Sequence, residues 1–210
     1  MNSAGTATYR NGSLMYNVKN IKFNKKEVIL HPGDYFCSDE DIVMSTILGS
    51  CISVVLYDES KHQGGLNHFL LPRIGKSTQL NIIEEKSARY GVHAMEVLIN
   101  DIMKMGSQKS ALKAKVFGGA SMFGPMNKDN GVGYINTQFA LQFLAKEGIP
   151  IIASNTGEDV GRKIFFFPKT GKILLRKIHS RTKIREIKKQ DEGLRETILK
   201  KPVGDKIVLF

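Results

Sequence analysis

Apolar and polar positions along the chain follow two patterns, one typical of strands and one typical of helices. Short apolar runs rich in β-branched and aromatic residues, each bounded by turn residues, predict strands. These runs cover 27–30, 42–44, 52–57, 66–71, 114–117, 149–153, 163–167 and 172–175. Turn residues at 58–65 and 168–171 predict two hairpins, whereas 45–51 is predicted to be a loop between strands.

A second pattern, with apolar residues recurring near a 3.6-residue period, predicts helices over 87–105 and 136–147. Gly106 and Gly148 can end these two helices. After residue 178 a further stripe predicts that part of the tail packs as an amphipathic helix, and its members are Ile184, Ile187, Leu194 and Ile198. Strands and helices are therefore mixed in order along the chain.

Length and hydropathy fit one substantial core with an appendage. The chain has 210 residues, of which 41% are hydrophobic, and nothing forces a second domain. Residues 1–22 are polar and lack the apolar centre of a signal peptide, and no window approaches a membrane span of about 20 apolar residues. We therefore expect a cytoplasmic protein with no membrane span.

The two cysteines, Cys37 and Cys51, are expected to be free thiols, because a chain without an export signal normally meets a reducing environment. Their spacing matches no zinc signature, and the five histidines are not paired at ligand spacing. The sequence therefore predicts neither a disulfide nor a metal site.

The net charge of +11 is concentrated near the C-terminus. Residues 176–210 hold eleven Lys or Arg against five Asp or Glu, which is an excess of six. Such a tail could contact nucleic acid or an acidic protein surface, but it has no aromatic residue before Phe210 that could stack on a base. A solvated basic helix and tail is therefore the favoured interpretation, and nucleic acid is not an expected partner.

The strongest candidate for chemistry is Cys51, which follows Gly49 and Ser50 at the start of a predicted strand. A thiol becomes a nucleophile when a histidine or a cation stabilises its thiolate. A strand, a turn and a returning strand can bring His68 into contact with Cys51. Backbone N–H groups near Gly49 and Ser50 could then form an oxyanion hole.

Residue types alone also allow structural roles for the same side chains. Cysteine is among the most buried residue types, so Cys51 could simply pack in the core. His68 could be a strand residue whose ring nitrogens bond to backbone groups. A hydroxyl at Ser45 or Thr46 could orient the imidazole of a reactive pair, or it could bond to nearby backbone in an ordinary loop.

Four short motifs lie in order over most of the chain. They are LGSC at 48–51, GLNHFLLP at 65–72, KVFGGA at 115–120 and DVGRK at 159–163. Together they resemble the CheD family of chemoreceptor glutamine deamidases, with a similarity that runs from about Gly33 to Ile178. The resemblance implies an α+β fold, a layered β-sandwich with mixed sheets flanked by helices, similar to cytotoxic necrotizing factor-type cysteine hydrolases.

Carried over by position, the resemblance implies that Cys51 is the nucleophile and His68 the general base of a triad completed by a hydroxyl. The family's hydroxyl lies six positions before the cysteine, which corresponds to Ser45 here, with Thr46 as the alternative. The implied activity is deamidation of receptor glutamine side chains to glutamate, with hydrolysis of methylated glutamates as a second reaction and no cofactor. The implied partners are the cytoplasmic domains of chemoreceptors and a CheC-type phosphatase.

The resemblance also predicts how the chain is divided. Residues 23–178 are expected to form the deamidase domain, 1–22 a flexible N-terminal extension and 179–210 a basic C-terminal tail. Two other functions remain as alternatives. One is a non-catalytic chemotaxis module that binds a receptor or a CheC-type phosphatase through the same fold, and the other is an RNA-binding protein that acts through the tail.

Overall fold

The computed structural model describes residues 6–10, 13–71, 88–121, 131–179 and 181–200. The strands in these ranges are β1 (Thr6–Arg10), β2 (Ser13–Asn20), β3 (Lys25–Ile29), β4 (Tyr35–Ser38), β5 (Val43–Leu48), β6 (Ile52–Asp58), β7 (Gln63–Asn67), β8 (Leu112–Gly118), β9 (Ile151–Thr156), β10 (Gly161–Phe167) and β11 (Lys172–Ile178). The helices are α1 (Arg89–Lys104), α2 (Val132–Lys146) and α3 (Arg181–Lys200), and a short 3-10 helix covers Lys109–Ala111.

The described strands form two mixed sheets. The first has the order β1-β2-β3-β5-β10-β11, in which β3 and β5 are parallel neighbours. The second has the order β4-β7-β6-β8-β9, in which β8 and β9 are parallel. The two predicted hairpins are confirmed as β6 with β7 and β10 with β11. Two mixed sheets with flanking helices also confirm the predicted α+β class.

The central strand β6 is buried on both faces, so its side chains alternate between two cores. Ile52 and Val54 face a core that the second sheet shares with α1 and α2. Val55 faces a second core between the sheets, to which Phe166 of the first sheet contributes. The layers are therefore helices, second sheet and first sheet. Cys51, immediately before β6, belongs to the core between the sheets.

The amphipathic helix predicted within the tail is present as α3, and one of its faces packs back onto the domain. Ile187 is buried in a small cluster with Ala120 and Ile178. Further along the same face, Leu194 packs against the core between the sheets. The part of the predicted basic tail at 201–210 lies outside the described residues.

The structure differs from the sequence prediction mainly where polar residues interrupt a strand pattern. The predicted loop over 45–51 is strand as far as Leu48. The hydroxyls of Ser45 and Thr46 do not interrupt β5, because they are buried and donate hydrogen bonds to Glu27 Oε1 and Leu30 O. The four-residue strand β4 is not among the predicted strands, although its first three residues are apolar. β1 and β2 lie within 1–22, where we expected a flexible extension, and β2 pairs with β3.

Candidate active site

Cys51 lies in a short connection between β5 and β6, which backbone hydrogen bonds from the end of β8 hold in place. Gly119 N donates to Cys51 O at 2.7 Å, and Ala120 N donates to Gly49 O at 2.8 Å. These donors belong to the predicted KVFGGA motif, and their acceptors belong to the LGSC motif. Two of the four sequence motifs therefore meet at the thiol.

His68 follows β7, and its backbone is tied to the segment before β4. His68 N donates to Asp34 O at 2.9 Å, and Gly33 N donates to His68 O at 2.7 Å. The side chain of Asn67, the residue before His68, anchors the end of β7 to β6, because its Oδ1 accepts from Val54 N at 2.9 Å. His68 is held from both sides and is only 2% exposed.

A hydrogen bond to Thr46 sets the tautomer of His68. Thr46 Oγ1 donates its one hydrogen to Leu30 O at 2.9 Å and lies 2.7 Å from His68 Nδ1. Because that hydrogen is already used, the hydroxyl oxygen accepts from Nδ1–H, and Nε2 is the unprotonated nitrogen of the neutral ring. Nε2 is buried and has no hydrogen-bond partner among the described residues. The imidazole therefore carries an unprotonated lone pair with no hydrogen-bond partner in the part of the chain that the structure describes.

Ser45, the residue predicted to complete the triad, has a different partner. Adjacent residues of a strand face opposite sides, and Ser45 Oγ donates to Glu27 Oε1 on β3. Lys163 Nζ lies 3.6 Å from the same carboxylate oxygen. The structure thus brings Thr46, the alternative, to His68 and places Ser45 in a separate polar cluster.

A carboxylate from the tail, Asp191 on α3, also reaches the site. Its Oδ1 accepts from Cys51 Sγ at 2.8 Å, and its Oδ2 accepts from Ser50 N at 2.9 Å and from Ser50 Oγ at 2.6 Å. Asp191 is 4% exposed and Cys51 is 0% exposed. The backbone N–H of Ser50, predicted as an oxyanion donor, is therefore bound to Asp191, and Gly49 lies beside it in the same connection.

Burial keeps both reactive groups neutral in this arrangement, and at Cys51 the nearby carboxylate adds to its effect. Burial raises the pKa of the Cys51 thiol well above its ordinary value of 9.0, and the negative charge and hydrogen bond of Asp191 raise that pKa further. Burial lowers the pKa of His68 to about 3, with a smaller contribution from the charge of His31. The resting pair is therefore a thiol and a neutral imidazole.

Cys51, His68 and Asp191 each offer one metal-ligating atom, and these atoms lie within 4.8 Å of one another. Thiolate, imidazole and carboxylate are all ligand types that Zn²⁺ accepts. In the structure described here the thiol hydrogen instead joins Cys51 to Asp191. The sequence expectation of no metal site stays a prediction.

Comparison with known proteins gives the family of this chain. Residues 70–177 match the model of the family described as CheD chemotactic sensory transduction. A probable chemoreceptor glutamine deamidase CheD 1 of Shewanella oneidensis is 41% identical over 191 residues, which cover 90% of this chain and 89% of the relative. The chain belongs to the CheD family. A CheD protein of Agrobacterium fabrum, given the same probable activity, is 48% identical over 148 residues, or 70% of this chain and 77% of that protein.

Among solved structures, the hypothetical protein YfiH of Bacillus licheniformis has a TM-score of 0.38 and 13% identity, covering 60% of this chain and 51% of that one. Such a likeness is too distant to bear on function. Within the described residues, no helix is both long enough and apolar enough to cross a membrane.

Another CheD motif, DVGRK at 159–163, supports the surroundings of the site. Arg162 is fully buried, and its guanidinium donates to Asn155 Oδ1 at 2.6 Å, Val160 O at 3.0 Å and Gly157 O at 2.8 Å. Gly157 N in turn donates to Gly118 O at 3.0 Å. Arg162 therefore fixes the loop before β10 against the end of β8, which itself holds the Cys51 connection.

Two polar residues of the site, Asp191 and Asn136, are not predicted from the sequence. Asn136 donates from Nδ2 to Ser50 O at 2.9 Å and accepts from Leu71 N at 2.8 Å, but no local signal separates it from other helical asparagines. Asp191 does carry a signal. It occupies a core-facing position in the apolar stripe of α3, and a charged residue at such a position needs a buried partner.

Proposed function

We propose that this CheD protein converts glutamine side chains of chemoreceptors to glutamate, with Cys51 as nucleophile and His68 as general base. The observation that carries the proposal is the hydrogen bond that His68 Nδ1–H donates to Thr46 Oγ1. It leaves Nε2 unprotonated on a ring that has a nitrogen within 4.8 Å of the Cys51 thiol. Thr46, rather than Ser45, is the proposed orienting hydroxyl. The names of the relatives support the substrate class.

In the first half-reaction, His68 Nε2 takes the thiol proton and Cys51 Sγ attacks the carboxamide carbon of glutamine. As the C–S bond forms, the carbonyl π electrons move onto oxygen. The backbone N–H of Ser50 and the backbone N–H groups near Gly49 stabilise that oxyanion. The oxyanion then collapses and the C–N bond breaks. The departing amide nitrogen takes the proton from His68 and leaves as ammonia, and a thioester remains on Cys51.

In the second half-reaction, a water molecule gives a proton to His68 Nε2 as its oxygen attacks the thioester carbon. The C–S bond breaks, and the thiolate of Cys51 recovers the proton from His68. The balance is one water consumed and one ammonia released for each glutamate formed, with no cofactor. A glutamate methyl ester follows the same path with methanol as the leaving group.

The proposed substrates are the cytoplasmic domains of chemoreceptors, so the proposed location is the cytoplasm, and a CheC-type phosphatase is a further proposed partner. The proposed deamidase domain, 23–178, supplies Thr46, Cys51 and His68. The segment 179–210 supplies Asp191, which is not required by any step of this chemistry.

The experiment is mass spectrometry of receptor cytoplasmic fragments co-expressed with the protein. We expect the mass gain of glutamine to glutamate with the parent protein and with Cys37→Ala, and no gain above the fragment alone with Cys51→Ala. The Cys37 variant is the matched control because it also removes a thiol from the same fold. Equal deamidation by Cys51→Ala and the parent protein would exclude Cys51 as the nucleophile.

A further inference from the structure

In the arrangement described above, no substrate group can reach the thiol. Cys51 is fully buried, and Asp191 engages both its Sγ and the N–H of Ser50, which are the two groups a glutamine must contact. We propose that α3 is an intramolecular occupant of the substrate site, and that the surface beneath it binds an amphipathic helix that presents glutamine in the position of Asp191. The identity of that side chain rests on the proposed function, whereas the occupied surface does not.

The chemistry of Asp191 matches the product of the proposed reaction. A side-chain carboxylate is what deamidation of glutamine leaves, and Asp191 places one carboxylate oxygen on the nucleophile and the other on a backbone N–H donor. Glutamate is longer than aspartate by one methylene group, about 1.5 Å. A helix that presents glutamine would therefore lie slightly further from Cys51 than α3 does.

The spacing on α3 defines the surface and the helix that fits it. Ile187, four residues before Asp191, packs beside Gly161, where an added Cβ would lie 2.9 Å from Ile187 Cδ1. Leu194, three residues after Asp191, packs against the core between the sheets. Residues at these spacings share one face of a helix. The surface therefore fits a helix with apolar residues four before and three after its glutamine.

The composition of α3 is compatible with release from this surface. Gly193 is an exposed glycine in the interior of the helix, with no heavy atom within 4 Å of the position of an added Cβ, and glycine weakens a helix relative to alanine. The outward positions are polar, as at Gln190 and Glu192, so the apolar side chains that the structure describes in α3 are confined to the face that contacts the domain. Burial raises the pKa of Cys51, and the charge and hydrogen bond of Asp191 raise it further, so the docked helix disfavours the thiolate.

The first experiment measures access to Cys51 in the full chain by alkylation with iodoacetamide, followed by peptide mass spectrometry. EDTA is present throughout so that a bound metal cannot protect the thiol. Ile187→Asp places a charge in the buried contact of α3, which should release the helix, and Gln190→Asp places the same charge on its exposed side. We expect Cys51 to react at least tenfold faster in Ile187→Asp than in the parent protein, and at the parent rate in Gln190→Asp.

Leu194→Asp is a second releasing variant, and circular dichroism with thermal melting shows that each variant keeps the sheets folded. If Cys51 of the parent protein reacts as fast as Cys51 of both folded releasing variants, α3 does not cover the site and the inference is overturned. Cys37, which lies outside the covered surface, provides the internal reference rate in every sample.

The second experiment tests the surface with peptides added to the full-length Ile187→Asp protein. A peptide of residues 181–200 should slow alkylation of Cys51, and no slowing at any concentration would overturn the inference. The same peptide with Asp191→Gln should be deamidated at position 191 and not at the adjacent Gln190. Slower alkylation without deamidation would support the docking surface and count against the proposed deamidase function. Failure of the docking proposal and failure of the deamidase proposal therefore give different results.

Discussion

At the scale of single residues, the direction of one hydroxyl hydrogen decides which nitrogen of His68 is basic. Thr46 directs its hydrogen to the carbonyl of Leu30, so its oxygen can only accept from the ring. The branched side chain of threonine restricts χ1, which favours one direction for this hydroxyl. The tautomer of His68 therefore depends on a neutral residue rather than on a carboxylate.

Thr46→Val tests this role, because valine keeps the shape and removes the hydroxyl. We expect ammonia release from receptor fragments to fall about tenfold or more, which corresponds to a hydrogen bond worth about 1.4 kcal/mol. Thr46→Ser should recover most of the activity, and Ser45→Ala should stay close to the parent rate. The opposite ranking, with Ser45→Ala inactive and Thr46→Val active, would return the role to Ser45.

The sequence predicts Cys51 and His68 as a pair because motif order and a hairpin are both visible in it. The choice between Ser45 and Thr46 is not visible, since it depends on which face of β5 looks toward His68. Adjacent strand residues face opposite sides. An alignment error of one position therefore selects Ser45, which bonds to Glu27, instead of Thr46, which bonds to His68.

At the scale of elements, α3 controls the electrostatic environment of Cys51 from a distant part of the chain. Asp191 adds a negative charge and a hydrogen-bond acceptor to a thiol that burial already keeps protonated. Both effects disappear when the helix leaves, and both act in the same direction on the pKa of the thiol. The docked helix therefore lowers reactivity as well as access.

The pH dependence of alkylation should report this effect. In the parent protein, the reaction of Cys51 should rise only above the ordinary thiol pKa of 9.0, because the pKa is raised and the thiolate forms at higher pH. In Ile187→Asp, the midpoint should move to lower pH as water reaches the thiol and Asp191 withdraws. Rate profiles between neutral pH and about pH 10 should show the rise at lower pH in Ile187→Asp than in the parent protein, and coincident profiles would contradict this effect.

Most helices and hairpins are predictable because their apolar periods are strong, and this includes the helix within the tail. Where that helix packs in the fold is not predictable in the same way. The stripe on α3 shows that one face is buried, but periodicity carries no information about which surface receives that face. Ile187 packs in one cluster with Ile178, which is near α3 in sequence, and with Ala120, which is far from it. Only the folded structure brings these three residues together.

At the scale of the whole molecule, the site exists where β6, β8 and the connection before Cys51 approach closely. Gly118 lies at the end of β8 with φ of +110°, and an added Cβ would lie 2.2 Å from Cys51 O. Gly148 also has positive φ, at +68°, but has no heavy atom within 4 Å of such a Cβ. Gly148 therefore provides a control for positive φ without close contact at the site.

Gly118→Ala and Gly148→Ala form a matched pair for urea unfolding. Gly148→Ala should lower the free energy of unfolding by about 1 to 2 kcal/mol, the cost of a left-handed conformation for alanine. Gly118→Ala should cost about 4 kcal/mol or more, because the backbone at Cys51 must also move. Equal losses in the two variants would show that the end of β8 does not constrain the Cys51 connection.

The sequence by itself determines the two hairpins, the amphipathic tail helix and the resemblance that implies the α+β class and pairs Cys51 with His68, because periodicity, turn residues and motif order are local properties of the chain. The tertiary structure decides that Thr46 orients the imidazole and that Asp191 covers the thiol. Both depend on segments far apart in sequence that meet only when two sheets and a helix pack together. The apolar stripe of α3 indicates that Asp191 needs a buried partner, but no local pattern identifies that partner, and at Cys51 such hydrogen bonds determine whether the thiol is hidden.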